Sequence, residues 1–152
     1  MQVRAGDIIN GLQVYHTRLA EYYCALANNF HKTSSIELAD YLGKCEAYQA
    51  RNMMLMSRSL NNRLVNTIID IPGSLVEKIL LEVRSGEEEN AVSSYGELLR
   101  IALQNEVRLK NFCRDISKIN LSAELRQVFS GICREADNEI RNLYSYRCLH
   151  AS

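Results

Sequence analysis

Apolar side chains return every three or four residues along most of this chain, and that spacing constrains its fold more than any other feature. In the segment 38–60, Leu38, Leu42, Cys45, Gln49, Met53, Met56 and Leu60 fall on one helical face. Two polar groups interrupt this apolar stripe. Gln49 lies within it, and Glu46 flanks it one turn earlier. A carboxylate carried into an apolar interior is costly unless a cation or hydrogen-bond donors meet it, so the segment predicts one half of a buried polar site.

The same periodicity recurs three more times. Asp7 can cap a first helix near 8–30 with the stripe Leu12, His16, Leu19, Tyr23, Leu26 and Phe30, and the pair Asn28-Asn29 suits a left-handed stop. Ser34-Ser35-Ile36-Glu37 reads as a capping box for a second helix near 35–66, with Asn61-Asn62 as an early end or kink. Ser94-Tyr95-Gly96-Glu97 is another box, ahead of Leu98, Leu99, Ala102, Glu106, Leu109, Cys113 and Ile116 in a helix near 94–117. A fourth helix near 122–148 carries Leu125, Val128, Phe129, Ile132, Ala136, Ile140 and Leu143, with Glu135 and Glu139 on the shoulder of its stripe. Between them, Asp70-Ile71-Pro72-Gly73 and the box Ser74-Leu75-Val76-Glu77 open a long connection with a short helix near 75–84. Neighbours joined by so long a segment are expected to run parallel, the chain travelling back along the bundle in a crossover between helices two and three. One proline and 7 glycines leave little turn material for an all-β fold, and no convincing strand stands out. The expected architecture is all-α, a four-helix bundle forming a single domain over 1–152.

The charge balance narrows the function classes. Eighteen Lys and Arg residues offset 18 Asp and Glu residues, which removes the long-range attraction that nucleic acid or an anionic membrane would require of a main partner. No apolar run approaches a membrane span and no signal-like segment opens the chain, so a cytoplasmic location is expected. Glu87 to Glu89 reads as a solvated helix start. The five cysteines, Cys24, Cys45, Cys113, Cys133 and Cys148, are odd in number and never paired as Cys-x-x-Cys. They read as reduced thiols, most of them in the core, rather than a zinc or disulfide framework. Glycine-rich phosphate loops, Ser-His-Asp spacings and paired zinc ligands are all missing from the sequence.

Acidic residues recurring on several apolar faces make the chain resemble the ferritin-like superfamily, its rubrerythrin-type members most. That family is a four-helix bundle with a long crossover, holding two metals by one Glu on each of two helices and a Glu-x-x-His on each of the others. The resemblance places Glu46-Ala47-Tyr48-Gln49 of helix two where the family has Glu-x-x-His, and Glu106 on helix three as a ligand. On helix four it offers Glu135-Ala136-Asp137-Asn138 or, a turn later, Glu139-Ile140-Arg141-Asn142. On helix one it lands on His16 rather than a Glu. The candidate or vestigial ligand set is therefore His16, Glu46, Gln49, Glu106, Glu135 and Glu139. Both expected histidines are replaced by amides, whose neutral oxygen is a poorer ligand for iron or manganese. The implied cofactor state is none, or iron or manganese at low occupancy. The implied role is a non-enzymatic structural or interaction protein, the alternative being a di-iron oxidoreductase or iron-handling protein.

Other readings rest on fewer residues. Tyr22, Tyr23, Tyr41, Tyr48, Tyr144 and Tyr146 read as core and rim aromatics before electron relays. The Met53-Met54-Leu55-Met56 cluster reads as plastic core or a dimer face, so a homodimer or protein partner would dock through Tyr- and Met-rich surfaces. A histidine phosphotransfer domain would need Lys and Gly three and four residues after its histidine, where His16 is followed by Leu19 and Ala20.

Overall fold

The computed structural model describes residues 1–74, 92, 94–119 and 121–149, and it divides into two compact units, Met1–Ser93 and Ser94–Ser152. Most of the described chain is helical, as the stripes require. The first unit contains β1 (Gln2–Arg4), α1 (Ala5–Asn29), α2 (Thr33–Ser59), α3 (Asn62–Val65) and β2 (Ile68–Asp70), and the second contains α4 (Tyr95–Ser117) and α5 (Ala123–Leu149). The short helix expected near 75–84, the crossover that would carry it and the Glu87 to Glu89 run lie outside the described residues.

In the first unit α1 and α2 form an antiparallel hairpin. Its register follows from three contacts that descend α2 as they climb α1. Ser57 Oγ donates to Asn10 Oδ1 at 3.4 Å, His16 meets Glu46, and a Cβ placed on Gly43 would lie 3.1 Å from Cys24 Sγ and 3.6 Å from the Ala20 carbonyl. Leu12, Leu19, Tyr23 and Leu26 of the α1 stripe are buried, and Phe30, just past the helix end, is half-buried. The buried seam of α2 differs from the expected stripe by about one residue of rotation. Ser35, Leu38, Ala39, Leu42, Gly43, Glu46 and Met53 are buried, whereas Cys45, Gln49, Met56 and Leu60 are half-buried. Gly43 accounts for the shift: without a Cβ it lets the α1 backbone at Ala20 and Cys24 approach, and the closest-approaching face becomes the core even though its neighbour is richer in large apolar groups.

Helix ends in this unit also correct the sequence expectation. α1 starts at Ala5 with no side-chain cap, leaving Asp7 in its first turn, and it stops into extended backbone at Phe30 rather than a left-handed turn. α2 starts at Thr33, ahead of the expected box, so Ser35 is buried inside its first turn. The Asn61-Asn62 pair does end the helix: Leu60 is extended, and Asn61 Oδ1 accepts from Leu64 N at 2.9 Å to open α3.

A two-stranded sheet replaces the expected absence of strands. β1 and β2 pair antiparallel with Gln2 opposite Asp70, Val3 opposite Ile69 and Arg4 opposite Ile68, and the ladder extends through Ala5 N to Thr67 O at 2.9 Å and Ile71 N to Met1 O at 2.9 Å. Three-residue strands are too short for an alternating pattern to register, and their pairing partners are some 65 residues apart along the chain. The sheet brings α3 against the start of α1 at Gly6, where a Cβ would lie 2.6 Å from Val65 Cγ1 and 3.2 Å from the Val65 carbonyl. Gly6→Ala should therefore destabilise the protein by about 1–3 kcal/mol through overpacking. Gly11→Ala in the same helix, where nothing lies within 4 Å of the new Cβ, should stabilise it by up to about 1 kcal/mol. Urea titrations of the two variants test this, and effects of the same sign would refute the close-approach argument.

In the second unit the stripes are realised nearly residue for residue. Leu98, Leu99, Ala102, Glu106, Leu109, Cys113 and Ile116 of α4 are buried, as are Leu125, Phe129, Ile132, Ala136 and Leu143 of α5, with Val128 and Ile140 half-buried. Ser94 Oγ accepts from Glu97 N at 3.2 Å, and Ser122 Oγ accepts from Leu125 N at 3.3 Å, so both serines cap the helices they were expected to open. Lys110 Nζ pairs with Asp137 Oδ1 at 2.6 Å across the hairpin; both side chains are one-third exposed, which limits the pair to about 0–1 kcal/mol.

Candidate functional site: a buried histidine–carboxylate pair

His16 is held by α1 and Glu46 by α2, and the close approach at Gly43 sets the two helices at the distance where these side chains meet. His16 Nδ1 stands 2.6 Å from Glu46 Oε2, with the side chains 1% and 5% exposed. The contact is short for a nitrogen–oxygen hydrogen bond, as charge-assisted bonds are. An ionised carboxylate only accepts, so the shared proton belongs to the imidazole Nδ1 when Glu46 carries its charge. The Tyr15 ring packs edge-on to His16, with centroids 5.3 Å apart and planes at 78°, and Tyr15 is itself buried. Water is thus kept from a polar contact that would be worth far less if solvated.

Gln49, one turn beyond Glu46 on α2, is half-buried. Glu106 on α4 is 7% exposed, Glu135 on α5 is exposed, and Glu139 is half-buried. Of the six candidate residues the structure joins His16 and Glu46 in a direct bond, and it turns Glu135 to solvent. Among the described residues no group of three or more His, Cys, Asp and Glu side chains is placed to hold a metal ion. Within the first unit, Glu46 Oε2 is bonded to the His16 imidazole, and the position one turn on, Gln49, offers an amide, a poorer ligand than a second imidazole.

Among the described thiols, the distribution differs from the expectation of a mainly buried set, and the side chain of Cys148 lies outside the described residues. Cys113 is fully buried, Cys45 and Cys133 are half-buried and Cys24 is exposed. Burial pushes the Cys113 thiol strongly up from its ordinary value, with Cys133 and Glu106 adding in the same direction, so it behaves as an inert core group. Cys133 Sγ donates weakly to the Lys110 carbonyl at 3.8 Å. Burial, and secondarily Tyr146, raises the Tyr95 phenol as well. Of the other tyrosines, Tyr23 is buried, Tyr22, Tyr41 and Tyr146 are half-buried, and Tyr48 and Tyr144 are exposed.

Sequence reasoning named both members of the buried pair but missed two residues that make it. Tyr15 lies just off the stripe that contains His16, and Gly43 was passed over although Ala39 and Gly43 sit four apart, as do Ala20 and Cys24 on the facing helix. Small residues at that spacing are the detectable signal for a close helix crossing.

These features define an all-α chain with a buried histidine–carboxylate pair at a helix crossing. No protein-family model, curated protein or solved structure matches it. No helix among the described residues is long and apolar enough to cross a membrane.

Proposed function

We propose that the protein is a ferritin-like four-helix protein whose di-metal site has been lost, and that it acts as a non-enzymatic scaffold or interaction module. The observation that carries this reading is the 2.6 Å bond between His16 and Glu46. In a metal-holding bundle a buried carboxylate is neutralised by the cation. Here an imidazole supplies that stabilisation within the chain, and Gln49 replaces the second nitrogen ligand. The interaction role draws on α2, where Tyr48 (62% exposed) and Leu55 (50%) lie two helical turns apart on one side of the helix. Large apolar groups in that arrangement suit a protein partner or a second copy of the chain. The Met cluster contributes less to this surface, since Met53 is buried and Met54 and Met56 are half-buried.

Elemental analysis of protein expressed with added iron and manganese tests the reading. The expected result is well below one metal per chain, with neither ferroxidase nor peroxidase activity. Two metals per chain, lost together with oxidase activity in Glu46→Ala, would overturn it in favour of a di-iron oxidoreductase or iron-handling protein.

A further inference from the structure

The second unit carries a groove that the buried pair does not explain. It follows α4 from Gly96 to Arg108, encloses about 690 Å³ and is closed at one side by Arg147 of α5. Its lining residues on α4 recur at intervals of three and four, so they form one continuous strip. Leu99, Leu103 and Val107 make the floor, and Val107 remains 42% exposed despite its apolar side chain. Among the described residues, the charged ones on the rim are all arginines, Arg100, Arg108 and Arg147, and no carboxylate lines the groove. Among the described residues neither Arg100 nor Arg147 has an ion-pair partner.

We infer that this groove binds a single-chain amphiphile with a carboxylate head, a long-chain fatty-acid anion. Three properties select that class. The volume lies in the range of small-molecule sites, roughly 300–1,000 Å³, which are mostly apolar with a few placed polar groups. The strip from Gly96 to Arg108 spans roughly 18 Å at the helical rise, about the reach of an extended fourteen-carbon chain, so its apolar floor matches an acyl tail. The guanidinium groups of Arg100 and Arg147 present planar donor forks that fit a carboxylate. The groove is lined by residues of the second unit, and its assignment does not rest on the loss of a metal.

The test uses the full chain and 11-(dansylamino)undecanoic acid, a fluorescent fatty-acid probe, kept below its micelle-forming concentration. Saturable binding of one probe per chain is expected, with displacement by myristate. Tetradecanol, which has the tail but no charge, should displace at least tenfold less well. Arg100→Gln and Arg147→Gln should each weaken binding about threefold to tenfold, and the double substitution should weaken it further while the helical circular dichroism is unchanged. Both arginines are exposed, so these variants should fold. Val107→Glu, also at an exposed position, should abolish binding by placing a carboxylate on the floor. Absence of saturable probe binding, equal displacement by the alcohol, or wild-type affinity in the double arginine variant would each overturn the inference. So would co-sedimentation with phosphatidylglycerol vesicles in the absence of probe binding, which would identify a membrane surface as the occupant.

Discussion

Glu46→Leu and His16→Leu should each lower the free energy of unfolding by about 3–5 kcal/mol, because either change takes a close, charge-assisted partner from a polar group held in the core. His16 and Glu46 are 1% and 4% exposed, so water cannot take the place of the missing partner. The double variant should recover most of the loss, since two apolar side chains of similar volume satisfy a buried site that half a pair cannot. The coupling is read from a double-mutant cycle of urea denaturation curves. Additive single effects, with the double variant as unstable as their sum, would show that the 2.6 Å contact contributes no pairwise energy. A successful cycle would also bear on the proposed role, because a pair that stabilises the fold has a reason to persist without metal chemistry.

Phe129→Ala should cost about 3–5 kcal/mol, the usual range for deleting a buried aromatic ring, because the surrounding helices relax only partly into the cavity. Phe129 is fully buried on α5, and Leu125 and Ile132, one turn to either side, are buried as well. Phe129→Leu should recover more than half of the loss by refilling most of the volume. Denaturation monitored by circular dichroism measures both variants. A cost below about 1 kcal/mol for the alanine variant would mean that the site collapses freely and that the ring does not anchor this unit.

Legibility differed between the two units for a physical reason. In α4 the residues that are apolar at helical spacing are the ones that are buried, from Leu98 to Ile116, and the Ser94 box caps the helix as read. Periodicity and capping are local properties, encoded within a few turns of the helix that displays them. In α2 the same reasoning located the helix and singled out Glu46 but chose the neighbouring face. Which face becomes core there depends on where α1 can approach, and that is decided by the missing side chain of Gly43 against Ala20 and Cys24. The candidate site divides along the same line. Glu46, Glu106 and His16 interrupt apolar stripes and are buried, whereas Glu135, on the shoulder of its stripe, is exposed.

By itself the sequence determined that the chain is helical, where its long helices run to within a few residues, and that His16, Glu46 and Glu106 carry polar groups into apolar faces, because burial follows the 3.6-residue period of each helix. Tertiary structure alone decided that the Glu46 carboxylate is met by His16, that Gly6 and Gly43 are the points of closest approach, and that residues 2–4 and 68–70 pair as strands. Each of these joins residues about 20 to 70 positions apart, and such meetings are set by the register and separation of packed elements, which no local pattern encodes.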